Sequence, residues 1–143
     1  MKKLAYCGND CAVCPRYTAT QSSDVLKLNE VAKLWNQLGW RDTIVSSEEI
    51  RCNGCFSSNF CRYGIQKCAS EKKVDNCGKC KEYPCNLTLK TFEQTHIYAE
   101  SVKRKCSDEE YQFFMTAFFS KKVNLDNAHS QCQKNVARFV EDE

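Results

Sequence analysis

The stretch YCGNDCAVCP, residues 6–15, sets Cys7, Cys11 and Cys14 at the spacing C-x3-C-x2-C. Three chemistries share such a spacing: a cluster site for radical reactions, part of a zinc site, and part of a disulfide framework. Each orders a chain differently, so the choice between them decides the fold. Further along lie Cys52, Cys55, Cys61, Cys68, Cys77, Cys80 and Cys85, which puts ten of the twelve cysteines in the first 85 of 143 residues. Density this high in one segment means disulfides or metal.

Compartment separates those two. No apolar stretch of the kind that directs export follows the opening MKK, and no run approaches the roughly 18 apolar residues of a membrane span. These features point to a cytosolic chain, where a many-membered disulfide framework would be reduced while thiolates held by zinc or iron would persist. Metal is the favoured reading.

Zinc prefers four thiolates in a tetrahedron, and a C-x2-C turn presents two sulfurs on the same side. Three such pairs occur: Cys11/Cys14, Cys52/Cys55 and Cys77/Cys80. Gly54 and Gly78 lie inside two of them and would allow positive φ or close backbone approach. One pair alone is weak, because it also serves redox exchange; three pairs in 80 residues are a strong signal. Structural zinc contributes ~10–16 kcal/mol, as much as a whole domain's stability. Ten cysteines would fill two four-thiolate sites, about two zinc ions, with two cysteines left over. One arrangement joins Cys11/Cys14 with Cys77/Cys80 and Cys52/Cys55 with Cys61/Cys68, leaving Cys7 and Cys85 as spares.

The competing cluster chemistries fit less well. Radical enzymes that share the C-x3-C-x2-C spacing need a large α/β barrel, for which 143 residues are too few, and usually carry an aromatic residue where Val13 stands. The Cys14-Pro15 step echoes the ending of bacterial ferredoxin motifs, but the spacing before it differs. An iron–sulfur cluster therefore stays as the alternative cofactor.

Charge names no partner. The net charge is +3, and the excess of basic side chains over residues 1–85, formally +4, would be offset by thiolate–zinc groups. Nucleic acid is only weakly supported, and nothing supports a membrane.

Hydrophobic spacing supplies the rest of the architecture. Val25, Leu28, Val31, Ala32, Trp35 and Leu38 predict an amphipathic helix over about 24–38, with Gly39 as its stop. Ser46 and Glu49 predict a short capped turn leading into Cys52. Residues 53–85 read as loop. Three helical stripes then follow: Leu89, Phe92, His96 and Ala99; Tyr111, Phe114, Met115, Phe118 and Phe119; and Leu125, Ala128, Cys132, Val136, Phe139 and Val140. Ser107 and Glu110 form a capping box for the middle one.

The segments YCGNDCAVCPRYTAT, IRCNGC, IQKCA and NCGKCKEYPC, in that order over about residues 5–95, resemble the cysteine-rich bacterial and archaeal family catalogued as domain of unknown function 3795. The family is regarded as zinc-binding, so the resemblance implies metal at Cys7, Cys11, Cys14, Cys52, Cys55, Cys68, Cys77, Cys80 and Cys85. Family members often carry one more cysteine where this chain has Tyr63, and Cys61 stands in reach of that role. The resemblance implies no activity, substrate or catalytic residue.

Outside the cysteine loops, His96 and His129 fall on predicted helices and read as packed or boundary residues. Cys106 and Cys132 read as small buried residues, and Asp10 as a turn former. No spacing recommends a catalytic triad or a Cys–His pair. The excess of aromatics at Phe113, Phe114, Phe118 and Phe119 reads first as core, with one or two left over for a protein partner.

The expectation is a small metal-stabilised α-rich domain with a knuckle- or ribbon-like cysteine-rich part packed on C-terminal helices. It would be one composite unit over 1–143, with zinc-binding region 5–95 and helical extension 96–143. The expected function is a zinc-stabilised binding module with structural four-thiolate sites; the alternatives are an iron–sulfur or thiol redox protein or enzyme, and then a nucleic-acid-binding zinc module.

Overall fold

The computed structural model describes residues 2–54 and 64–141, with side chains to residue 134. Cys55 and Cys61 lie outside the described residues. So do the side chains of Val136, Phe139 and Val140. Among the described residues the chain is helical with no strand, and one isolated antiparallel bridge joins Leu4 to Asp10.

Two short helices were not legible as apolar stripes. The first, α1 (Pro15–Ser22), starts at a proline, whose fixed φ suits the first helical position, and buries Arg16, Ala19 and Thr20 instead of an apolar face. It is followed by α2 (Val25–Gln37), which begins at Asp24, whose carboxylate accepts from the N–H groups of Leu26 and Lys27. The chain leaves α2 through Gly39 at φ +80°. Leu28, Val31, Ala32, Trp35 and Leu38 are buried as their spacing requires, whereas Val25, in the first turn, is half in solvent.

Ser46 caps α3 (Ser47–Ile50) by accepting from Glu49 N–H, and Ile50 completes an apolar cluster with Ala19, Leu28, Val31, Ala32 and Trp35. The second unforeseen helix is α4 (Ile65–Glu71), entered through Gly64 at φ +73°. It corrects the loop reading of that segment: Ile65 and Ala69, four apart, bury one face, and Cys68 rides on the same turn.

The three C-terminal helices are α5 (Asn86–Lys103), α6 (Asp108–Phe118) and α7 (Lys121–Glu141). The α6 capping box is reciprocal, Glu110 N–H donating to Ser107 Oγ and Ser107 N–H to Glu110 Oε1, each at 3.1 Å. Trp35 and Trp40 meet Phe114 and Phe118 edge to face and join the end of α2 to α6, with Phe114 buried and Phe113 44% exposed. The stripe expected on α5 is corrected. Leu89 and His96 face solvent, and the buried face is Thr88, Thr91, Thr95, Ala99 and Val102. Cys106 and Cys132 are half-buried, Cys106 donating to Val102 O.

The cysteine turns sit between these helices. A 3-10 turn at Cys11–Val13 packs on α6, with Asp10 N–H donating to Ala117 O at 2.9 Å. A second, at Cys77–Lys79, packs beneath α7. None of the described helices is long and apolar enough to cross a membrane.

Candidate metal centre

Four cysteines from three separate segments surround one cavity of about 20 Å³, room for a single water-sized sphere. Cys68 comes from α4, Cys77 and Cys80 from the second 3-10 turn, and Cys85 from the N-cap of α5. Ala69, Val74 and Leu87 line the remainder with Lys72, Tyr83 and Thr88. Cys7 reaches Cys77 from the N-terminal loop and shares its apolar cluster.

The backbone that brings them together is hydrogen-bonded. Cys77 N–H donates to Tyr6 O at 2.9 Å, tying the second turn to the loop that carries Cys7, and Cys80 N–H closes its own turn on Cys77 O at 3.1 Å. None of the ten described cysteines is in a disulfide. No group of three or more His, Cys, Asp or Glu side chains among the described residues is arranged to hold a metal ion, so the four thiols share one cavity wall without converging on a point.

Electrostatics at the cavity divide the thiols. Burial, and then the neighbouring Cys85, Cys7, Cys68 and Cys80, push the Cys77 thiol up to about 12. Cys85 goes the other way. Burial alone would raise it, but N–H groups of Thr88 and Leu87, the Thr88 hydroxyl and the nearby Lys72 hold it below the ordinary thiol range. Lys72 Nζ is also 3.8 Å from Cys80 Sγ and pairs with Glu82. A cation thus stands beside the sulfurs where anionic charge would gather.

A second thiol pair lies at the other end of the cysteine-rich part. Cys14 is buried at the N-cap of α1 and neighbours Cys52, and burial pushes the Cys14 thiol up to about 11. Cys52 N–H donates to Thr20 Oγ1 at 2.9 Å. Arg16, buried, faces both sulfurs and donates to the carbonyls of Ile50, Glu49 and Arg51, so it fixes the approach to Cys52 as well as supplying charge. Its burial lowers its pKa, and the two thiols oppose that. Cys11 opens the first 3-10 turn, whose closing bond runs from Cys14 N–H to Cys11 O. Among the described cysteines, Cys77/Cys80 thus lie with Cys68 and Cys85, and Cys14 lies near Cys52, unlike the arrangement that joins Cys11/Cys14 with Cys77/Cys80.

Asp10 has a structural role. Its Oδ1 accepts from Lys3 N–H at 3.0 Å and Ala12 N–H at 3.1 Å, which caps the first turn. Asn9 and Asn76, one in each cysteine loop, bury a side-chain oxygen that has no hydrogen-bond partner.

The family described as Protein of unknown function (DUF3795) matches residues 3–90. The chain belongs to the DUF3795 family. Every candidate cysteine lies inside the DUF3795 match, and α6 and α7 lie beyond it. No curated protein and no solved structure matches the chain.

Several residues at this DUF3795 site carried no readable signal. His129 was expected away from the cysteine loops, yet its Nδ1 is 2.9 Å from Gly78 O and its ring packs against Tyr83. Of the two freedoms expected of Gly78, positive φ and close backbone approach, the structure uses the second, since a Cβ there would meet Leu125 O at 2.5 Å. Arg16 and Lys72 stand out only through their spatial neighbours.

Proposed function

We propose that this protein is a zinc-binding module in which structural metal, held by thiolates, orders the cysteine-rich part and presents the helical part for binding. The observation that carries this reading is the meeting of Cys68, Cys77, Cys80 and Cys85 around one small cavity. Four thiols from three segments match zinc's preferred donor set. Bringing the sulfurs onto one ion takes side-chain rotation at these positions.

The chemistry of the surroundings fits. A four-thiolate zinc centre carries net negative charge, and Lys72 stands at the cavity wall. The Cys77 thiol, which burial and its neighbours keep from ionising, loses that penalty when a dication replaces its proton. A second site is proposed around Cys14 and Cys52, with Arg16 as its neighbouring cation. Bound zinc would supply cross-links between distant segments. The chain's own residues supply charge balance and backbone placement. Retention of thiolate zinc implies a reducing compartment such as the cytoplasm.

The test is competition for metal. Titration of the metal-free chain with cobalt(II) under reducing conditions should give the intense thiolate-to-metal absorption of tetrahedral sulfur sites, displaced by zinc. Only weak absorption, typical of oxygen ligands, would sink the proposal.

A further inference from the structure

One face of α7 spans both cysteine loops. Gly8, at φ +94° between Cys7 and Cys11, has Lys121 O 2.6 Å from where a Cβ would stand, and its carbonyl accepts from Asn124 Nδ2 at 2.9 Å. Gly78, between Cys77 and Cys80, has Leu125 O at 2.5 Å from the same position, and its carbonyl accepts from His129. A carbonyl only accepts, so His129 Nδ1 carries the proton. Residues 121, 124, 125 and 129 follow helical spacing, so a single helix face makes all of these contacts.

Leu125 is fully buried in the cluster that contains Cys7, Cys77 and Tyr83. Tyr83 in turn donates to Asp126 Oδ1 at 2.5 Å. The other two apolar clusters, built on Leu28 and Trp35 and on Leu38, Val102 and Phe114, contain none of the eight described candidate ligands. The helix lies wholly beyond the family match and packs on the cysteine loops within it.

We propose that metal in the cavity and docking of α7 depend on each other, with His129 as the positioning residue that holds the Cys77–Cys80 turn through the Gly78 carbonyl. The proposal rests on the zinc reading above. Metal fixes the turn and so fixes the surface on which α7 sits; α7 fixes the same turn from behind and so favours the metal-bound form. The two effects are reciprocal by linkage. Loss of metal then frees α7 while the clusters around Trp35 and Phe114 persist, which makes the helix a reporter of metal occupancy.

Hydrogen exchange on the full chain, zinc-loaded and then chelated, tests this directly. Amides over 121–134 should exchange at least about 10-fold faster without metal, with those of α2 changing by less than about 2-fold. His129→Ala should speed zinc transfer to a chelator by about 10-fold, and His129→Asn, whose amide N–H stands near the place of Nδ1, should recover most of that. Equal loss of protection in α2 and α7, or no change in α7, overturns the proposal, as does His129→Ala releasing zinc at the original rate. A chain that takes up no zinc overturns the functional reading and this one together; a chain that takes it up with α7 indifferent overturns only this one.

Discussion

His129 Nδ1 lies 2.9 Å from the carbonyl oxygen of Gly78, and this bond joins a helix outside the family match to the turn between Cys77 and Cys80. The contact is possible because position 78 has no side chain. In Gly78→Ala the new Cβ would stand 2.5 Å from Leu125 O and 3.0 Å from Ala128 Cβ, so α7 must shift. The expected cost is about 1–3 kcal/mol. Gly64→Ala is the control: nothing lies within 4 Å, and only its φ of +73° is strained, for about 1 kcal/mol. Urea midpoints of the zinc-loaded variants check the order.

Removing Arg16 should be more damaging than its polar character suggests. Arg16→Met would leave the carbonyls of Glu49, Ile50 and Arg51 without their donor, at an expected cost of about 2–4 kcal/mol. Arg16→Lys should recover little, since an ammonium cannot reproduce a planar fork across three carbonyls. Denaturant unfolding of the two variants measures both effects.

The two thiol groups should lose metal independently. Cys77→Ser should remove about one zinc and leave the site around Cys14, and Cys14→Ser should do the converse. Cys106→Ser and Cys132→Ser should leave metal content unchanged, since neither lines the cavity. Elemental analysis of the four variants decides it.

Legibility followed how far each residue's role was local. Helix α2 was readable because Asp24 and Gly39 punctuate a regular apolar stripe. The buried face of α5 was not, because it is made of threonines. Thr91 donates to Leu87 O and Thr95 to Thr91 O, and hydroxyls satisfied within their own helix can be buried like apolar groups. A stripe counted on apolar residues alone therefore chose Leu89, which is 49% exposed. The cysteines were legible as a set, but which of them meet depends on how α4, the second 3-10 turn and the start of α5 come together, and spacing carries no such information. His129 gave no signal at all, since its partner is a backbone carbonyl 51 residues away.

Asp126 should shape the acid limb of stability. Lys122 and then the Tyr83 hydroxyl hold its carboxyl below the ordinary carboxylate range. A depressed carboxylate contributes stability above its unfolded value of 3.8, and this is lost as pH falls through the folded value. Asp126 is largely exposed, so the effect is small. Thermal midpoints of the zinc-loaded chain below about pH 5 should fall less steeply in Asp126→Asn than in the original.

The most direct test of the account is metal content after purification without oxygen or added metal, by elemental analysis alongside visible absorption. The account predicts a colourless protein with about two zinc per chain, released by a chelator with loss of helix signal. A brown protein carrying iron and inorganic sulfide, or a folded one carrying no metal, would contradict it.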